Sequence, residues 1–282
     1  MTDSTPVVPG TATSLSVAVL QTAPAREAVA DNVREIEGLA AAAGVVDLIV
    51  TCELSVSGYA FAAEGLEALD PADARLDRLA ALQPTVSVGI IEQGADGLPY
   101  NSSVLLGVGS VQRKLHPVSY APWNEHQLVA PGDRLVPAVV NGAAVTTLIC
   151  NDAWHPVLPW LAVHAGAEVL LIPTASIGDG ATGESAQSWD LILTHTARIL
   201  QCYVVFANRV GEENGSAFWG GSRIIDPWGN ELARAGGGVE TIHADLDLGA
   251  LRQLRRDVPL LAERRAGLVA GMLAELDGDE NV

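Results

Sequence analysis

The chain reads as a single α/β domain. Short runs rich in Val, Ile and Leu alternate with Ala-rich stretches of helical period. Hydrophobic residues make up 49% of the chain against 18% charged, enough apolar side chain to bury a large core. No linker, repeat or low-complexity stretch divides the 282 residues, so one domain accommodates them better than two.

In order, SLSVAVLQTAP predicts a first strand, AREAVADNVREIEGLAAAAG a helix closed by Gly44, and VVDLIVTCE a second strand. Helix ADARLDRLAALQP leads into strand TVSVGIIEQ. YNSSVLLG and GSVQRKLHP, joined through Gly107 and Gly109, predict a hairpin. A polar loop from Pro117 to Pro137 follows, then strand AAVTTLIC, a helix through PVLPWLAVHAG and strand AEVLLIPTAS. A Gly-rich loop to Gly183 precedes helix SAQSWDLILTHTARIL and strand CYVVFANRV. The stretch from Trp219 to Ile242 predicts two strands around a DPWG turn, and the part from Leu248 on is Arg- and Ala-rich helix.

Charge narrows the function classes. With 34 Asp and Glu against 16 Lys and Arg the formal net charge is −18, which repels a phosphate backbone and argues against a nucleic-acid partner. The start, MTDSTPVVPGTATSL, lacks the basic and apolar regions of a signal peptide, and no apolar run approaches the ~20 residues of a membrane span. A soluble, cytoplasmic protein with reduced thiols is expected, and Cys52, Cys150 and Cys202 are too sparse for a disulfide framework. Of the 16 basic residues only Lys114 is a lysine, which suggests a need for a compact ammonium. Its neighbours Arg113 and Leu115 exclude a P-loop, and no GxSxG occurs.

Three of these strands end on reactive groups. Cys150 closes VTTLIC ahead of Asn151-Asp152, a strand-to-helix turn where free amides lower a thiol pKa and can hold an oxyanion. Cys202, inside CYVVFAN, reads as a small core residue, and Cys52 most simply does too. Glu53 follows the buried run DLIVTC, where a carboxylate needs a cation or a role in proton transfer. Strand ends converge on the ligand site in open α/β sheets, so Glu53, Lys114 and Cys150 can meet there. Spacing alone equally allows an ion pair packed beside an inert thiol. Cys150, Asp152, His155 and His164 also invite a metal reading, but no CxxC or HExxH spacing supports it. His155, before Pro156, reads as a pocket-wall or helix-capping residue.

TCELSVSGY around Glu53, QRKLHP around Lys114 and LICNDAWHP around Cys150 resemble, in order, the three signature segments of the carbon-nitrogen hydrolase (nitrilase) superfamily. WNEHQLVAPGD is similar to that family's loop bearing a second glutamate, here Glu125. YNSSVLL, ARILQCYVVFANRVG, GGSRIIDPWG and RDVPLLAERR are weaker matches. The resemblance implies a four-layer αββα sandwich over residues 15–265, preceded by a disordered extension (1–14) and followed by a C-terminal helix or tail (266–282). It also implies a Glu53-Lys114-Cys150 triad, no metal, no organic cofactor, a small amide as substrate, and a homodimer or higher homo-oligomer.

In the roles so implied, Glu53 is the base, Cys150 the nucleophile, and Lys114 with the backbone N–H of Asn151 the oxyanion donors. Glu125 orients the substrate nitrogen or the water. Tyr59, Trp123, Trp154, His155 and Ser176 are the expected substrate-binding positions, giving aromatic walls suited to an uncharged acyl group. Arg209 is the one arginine expected to be able to approach from the following loop. The expected activity is hydrolysis of a small linear amide or N-carbamoyl compound with release of ammonia; nitrile hydrolysis and an inactive binding protein are the alternatives. Ala153 and Trp154 stand where D-amino-acid carbamoylases have arginines, and Asn151-Asp152 where true nitrilases have Trp-Glu.

Overall fold

In the computed structural model, which describes residues 11–26, 28–59, 67–120, 124–178, 184–213 and 215–279, there are two six-stranded sheets, the first built from five strands of the first half of the chain and one of the second, the other from the second half alone. The first half contributes β1 (Ser14–Gln21), α1 (Val29–Ala42), β2 (Leu48–Thr51), α2 (Asp77–Ala80), β3 (Thr85–Gln93), β4 (Pro99–Leu106) and β5 (Ser110–Arg113). The second half starts with β6 (Ala138–Val140), β7 (Ala143–Thr147), α3 (Val157–His164), β8 (Val169–Thr174) and α4 (Glu184–Ile199). It continues with β9 (Tyr203–Asn208), β10 (Val210–Glu213), β11 (Ser216–Trp219), β12 (Arg223–Ile225), β13 (Glu231–Arg234) and β14 (Glu240–Asp247), and ends in α5 (Leu248–Asp257) and α6 (Ala266–Asp279). The strand orders are β14-β1-β2-β3-β4-β5 and β13-β12-β9-β8-β7-β6.

Strand alternation creates the layers. Val17, Val19, Leu48 and Val50 face Val145, Val169, Leu171 and Val205 between the sheets. The intervening residues Ala18, Leu20 and Ile49 turn outward onto Val33 and Ile36 of α1 and Leu79 of α2. On the other side Leu170, Ile172, Val204 and Phe206 pack under Leu158 of α3 and Trp189 and Leu193 of α4. The result is the four-layer αββα sandwich. Burial on both faces explains why β2, β8 and β9 read as continuous apolar runs, each large aliphatic side chain being worth roughly 1.5–3 kcal/mol.

Several elements differ from expectation. The first helix begins at Val29, because Asn32 bonds both N–H and C=O of Ala25 and holds that segment as a loop. The helix expected in ADARLDRLAALQP shrinks to a 3₁₀ turn, Ala74–Leu76, and the single turn of α2; only Leu76 and Leu79 anchor them. CYVVFANRV is two strands, since at Arg209 the chain leaves the sheet and its N–H turns to the Thr174 carbonyl. β12 and β13 flank the DPWG turn as expected, but Glu240–Asp247 is a third strand, paired antiparallel with β1 along its full length. Thus β14 carries the chain from the second sheet back to the first. β1 begins at Ser14, while residues 1–10 of the expected disordered extension lie outside the described residues.

Candidate active site

Glu53, Lys114 and Cys150 each sit just past a strand, and at or beside Glu53, Glu125 and Cys150 the backbone is left-handed. Glu53 follows β2, and the next residue, Leu54, has φ of 51°. That turn crosses Gly89 of β3 so closely that a Cβ there would lie 2.2 Å from the Leu54 nitrogen. A strand-interior glycine is therefore what admits the Glu53 turn. Lys114 follows β5, its N–H bound to the Asn101 carbonyl (2.8 Å) and its own carbonyl to the Gly132 N–H of PGD (2.8 Å). Glu125 opens a 3₁₀ turn behind Asn124, at φ 44°. Cys150 itself has φ of 47° and starts the 3₁₀ turn Cys150–Trp154. Left-handed non-glycine residues cost about 1–3 kcal/mol each, and here three adjoin or form the reactive groups.

Their side chains converge. Lys114 Nζ donates to Glu53 Oε1 (2.7 Å) and to both Glu125 oxygens (3.0 and 2.7 Å), with all three residues buried. Asn101 Nδ2 donates to Glu53 Oε1 (2.8 Å) and the Ala175 N–H to Glu53 Oε2 (2.9 Å). Glu125 accepts from the Val118 N–H (3.1 Å) and from the Tyr59 hydroxyl. One ammonium thus faces two carboxylates beside a half-buried thiol.

The electrostatics follow from burial and from that excess of negative charge. Burial pushes Glu53 above the ordinary glutamate range; Lys114 opposes the rise and Glu125 adds to it. Burial works against the Lys114 charge, but Glu125 and Glu53 outweigh it and hold the ammonium well above the usual lysine range. Burial and then Glu53 drive the Cys150 thiol well up, with Lys114 opposing. The sequence expectation of a thiol lowered by helix amides is corrected here. Cys150 opens a short 3₁₀ turn rather than an α-helix, and two carboxylates face it. Such a cysteine rests as a neutral thiol and needs a base.

Asp152, considered above only for a metal, is a strut. Its Oδ1 accepts the N–H groups of Leu115 (3.0 Å) and His116 (2.8 Å), just after Lys114, and its Oδ2 that of Ile149 (3.0 Å), just before Cys150. The side chain of Asn151 donates to the His116 carbonyl (3.0 Å), adding a second tie. Among the described residues no group of three His, Cys, Asp or Glu is placed to hold a metal ion, and no helix is long and apolar enough to cross a membrane.

The expected pocket residues divide. Tyr59 reaches the centre through Glu125. Trp154 is 44% exposed and packs edge-on against Trp189, and His155 stacks on His116 with centroids 3.8 Å apart. Ser176 Oγ accepts the indole N–H groups of Trp189 (3.2 Å) and Trp219 (3.1 Å) and pairs with Ser185 Oγ (2.8 Å), which engages its hydrogen-bonding capacity within the protein. Trp123 lies outside the described residues. Arg209 is buried, ion-paired with Glu213 (2.5 Å) and stacked on Phe218, which commits its charge within the protein. Asn101, Gly89 and the Ala175 amide were not singled out from sequence. A buried Asn in the YNSSVLL strand and a glycine inside TVSVGIIEQ were the available signals.

Comparison with known proteins gives the family of the chain. The family model described as "Carbon-nitrogen hydrolase" matches residues 16–256. An (R)-stereoselective amidase of a Pseudomonas species is 30% identical over 256 residues, covering 87% of this chain and 89% of that protein. The deaminated glutathione amidase of Mus musculus is 34% identical over 184 residues, 61% of this chain and 56% of that protein. A crystal structure of a carbon-nitrogen hydrolase from Helicobacter pylori G27 superposes with a TM-score of 0.80 at 23% identity, covering 93% of this chain and 98% of that one.

Proposed function

The chain belongs to the carbon-nitrogen hydrolase family and is an enzyme of that class, and from that premise we propose that it hydrolyses a small uncharged linear amide or N-carbamoyl compound through a Cys150 thioester, releasing ammonia. The observation that carries the reading is the convergence of Glu53, Lys114 and Glu125 beside a thiol that needs a base. Glu53 takes the Sγ proton as sulfur attacks the carbonyl carbon, and the oxyanion forms against Lys114 Nζ and the Asn151 N–H. Collapse breaks the C–N bond, Glu53 returns its proton to the leaving nitrogen, and ammonia departs. Water, deprotonated by Glu53, then cleaves the thioester, and the thiolate recovers the proton. Glu125, braced by Tyr59, orients the nitrogen or the water. The commitment of Arg209 to Glu213 favours an acyl group without a carboxylate. We also propose a homodimer or larger assembly, consistent with Leu268, Met272 and Leu273 exposed on α6.

The test is ammonia release from aliphatic and aromatic amides, carbamoyl amino acids and the matching nitriles, with Cys150→Ala alongside. Turnover of amides is expected from the wild type, with a loss of at least ~10⁴-fold in the variant while its melting curve is retained. Equal inertness of both proteins would favour a binding protein, preference for nitriles a nitrilase, and confinement to acyl groups bearing a carboxylate would contradict the uncharged pocket.

A further inference from the structure

We propose that Ser176 is a positioning residue: by gathering two tryptophan indoles and Ser185 onto one hydroxyl, it fixes the Ala175 peptide whose N–H holds the general base beside the nucleophile. The inference rests on the reading of Glu53 and Cys150 as the working pair. Ser176 follows directly on Ala175, past the end of β8, where the chain has left the sheet and no strand neighbour sets its path. Its Oγ instead receives Trp189 Nε1–H from α4 and Trp219 Nε1–H from β11, and shares a hydrogen with Ser185 Oγ at the start of α4. Its main-chain N–H donates to Asn208 Oδ1 (2.9 Å) at the end of β9.

Three elements from different parts of the second half therefore meet on one residue. The segment continues into a pairing of Ile177 with Phe218 and of the Gly178 N–H with the Ala217 carbonyl (2.8 Å), so its outer side is fastened as well. What this anchorage holds is the Ala175 N–H, 2.9 Å from Glu53 Oε2. The same amide bears on Cys150, whose thiol it helps to hold down against burial and Glu53. A donor fixed on a carboxylate favours its ionised form, and a fixed amide costs nothing to reorient when the proton moves. Ser176 reaches the chemistry only through that neighbouring peptide.

Other groups also face the pair. Glu53 meets Lys114 from the end of β5, Asn101 from β4, Glu125 from its 3₁₀ turn and Cys150 from the turn after β7, with Tyr59 and Cys52 within electrostatic reach. Cys150 additionally has Tyr120 within electrostatic reach. None of these is bonded to Ser176, so changing Ser176 perturbs the pair through the Ala175 amide alone.

The experiment reads Cys150 directly and needs no known substrate. Alkylation by iodoacetamide, followed by peptide mass spectrometry between about pH 5 and pH 9, is compared for wild type, Ser176→Ala, Ser176→Thr and Trp219→Phe, with Cys150→Ala as background. Loss of the amide donor raises the proton affinity of Glu53. Labelling of Ser176→Ala should therefore slow about 10-fold near pH 6 and less than about 3-fold near pH 9, the acid limb moving up by about one pH unit. Ser176→Thr, which keeps the hydroxyl, should restore the profile, and Trp219→Phe, which removes one donor but keeps a ring, should lie between.

A Ser176→Ala profile that superimposes on wild type while tryptophan emission shifts would overturn the inference, leaving the hub a packing feature. A uniform slowing with the limb unmoved would overturn it too. If Ser176→Ala does not fold, Trp219→Phe carries the same comparison. Wild-type Cys150 labelled no faster than buried Cys202 would instead sink the nucleophile assignment itself, and the inference with it.

Discussion

The first sheet and the second supply different things to the site. Around the first, side chains carry charge: Glu53 after β2, Lys114 after β5 and Glu125 in the loop beyond, tied to one another and to Asn101 and Tyr59. Around the second, the site draws among the described residues on a thiol, Cys150, and on main-chain amides held by Asp152 and Ser176. Buried charges must satisfy each other, and here both carboxylates depend on the one ammonium of Lys114, whose loss would leave them without a cation. A thiol makes no such demand. It needs only placement, and the second half provides placement through a left-handed backbone and carboxylate and hydroxyl struts.

Replacing Lys114 with Arg tests the charged half most severely. If the lysine were merely one side of an ion pair, a guanidinium would serve and cost ~1 kcal/mol or less. The Nζ position, however, is within hydrogen-bond distance of two carboxylates in a closed space, and a planar fork cannot occupy it while aiming one donor at the oxyanion. Turnover should fall at least ~10²-fold, or ~3 kcal/mol of transition-state stabilisation, with the protein still folded. Near wild-type turnover with an unchanged melting curve would remove Lys114 from the mechanism and reduce the charged half to a structural ion pair.

A smaller and more informative change is Glu125→Gln. Glu53 holds its proton to a higher pH than an ordinary glutamate, first through burial and in part through the neighbouring Glu125 charge. With Glu53 as the proposed base, hydrolysis requires its ionised form, so activity should be lost as pH falls through that raised value, and the acid limb of kcat/KM should lie above the usual glutamate range. Removing the Glu125 charge lowers the proton affinity of Glu53, and the limb should move toward lower pH. Given the proposed role of Glu125 in orienting the nitrogen or the water, loss of its charge should also cost about 10-fold in turnover. The pH profile of kcat/KM for both proteins checks this; a limb that stays in place, or moves up, would separate Glu125 from Glu53 electrostatically.

The same contrast explains what could be read from the sequence. Glu53 and Lys114 stood out because charge at the end of a buried aliphatic run is anomalous on its face, and the lone lysine doubly so. Cys150 stood out by its position before Asn151-Asp152. The supporting half was not legible in the same way. The Ala175 amide belongs to no side chain, and Gly89 matters only because the turn at Leu54, 35 positions earlier in the chain, crosses it. Ser176 was visible as a polar residue past a strand, but its partners Trp189 and Trp219 come from α4 and β11, a convergence set by the tertiary fold. The fold itself was more legible: strands buried on both faces announce themselves by composition, whereas β14, alternating exposed and buried residues at the edge of the first sheet, does not.

Cys202 offers the smallest expected effect and the cleanest internal control. It belongs to the same half of the molecule as Cys150 and lies just before β9, fully buried against the α4 layer, its thiol pushed up to about 12 by burial. Whereas Glu53, Lys114 and Glu125 act electrostatically on Cys150, the charge that acts on Cys202 is that of Arg255, and its sulfur reaches the Thr196 carbonyl at 3.8 Å. If reactivity in this half depends on placement at the strained turn, the two thiols should respond oppositely to removal. Cys202→Ala deletes one buried heavy atom and leaves a small void, so stability should fall by about 1 kcal/mol, seen as a lower melting temperature. Ammonia release below that temperature should be unchanged. A loss of turnover beyond about 3-fold in a folded Cys202→Ala protein would show that placement of Cys150 depends on packing throughout the α4 layer, and not only on the turn, Asp152 and Ser176.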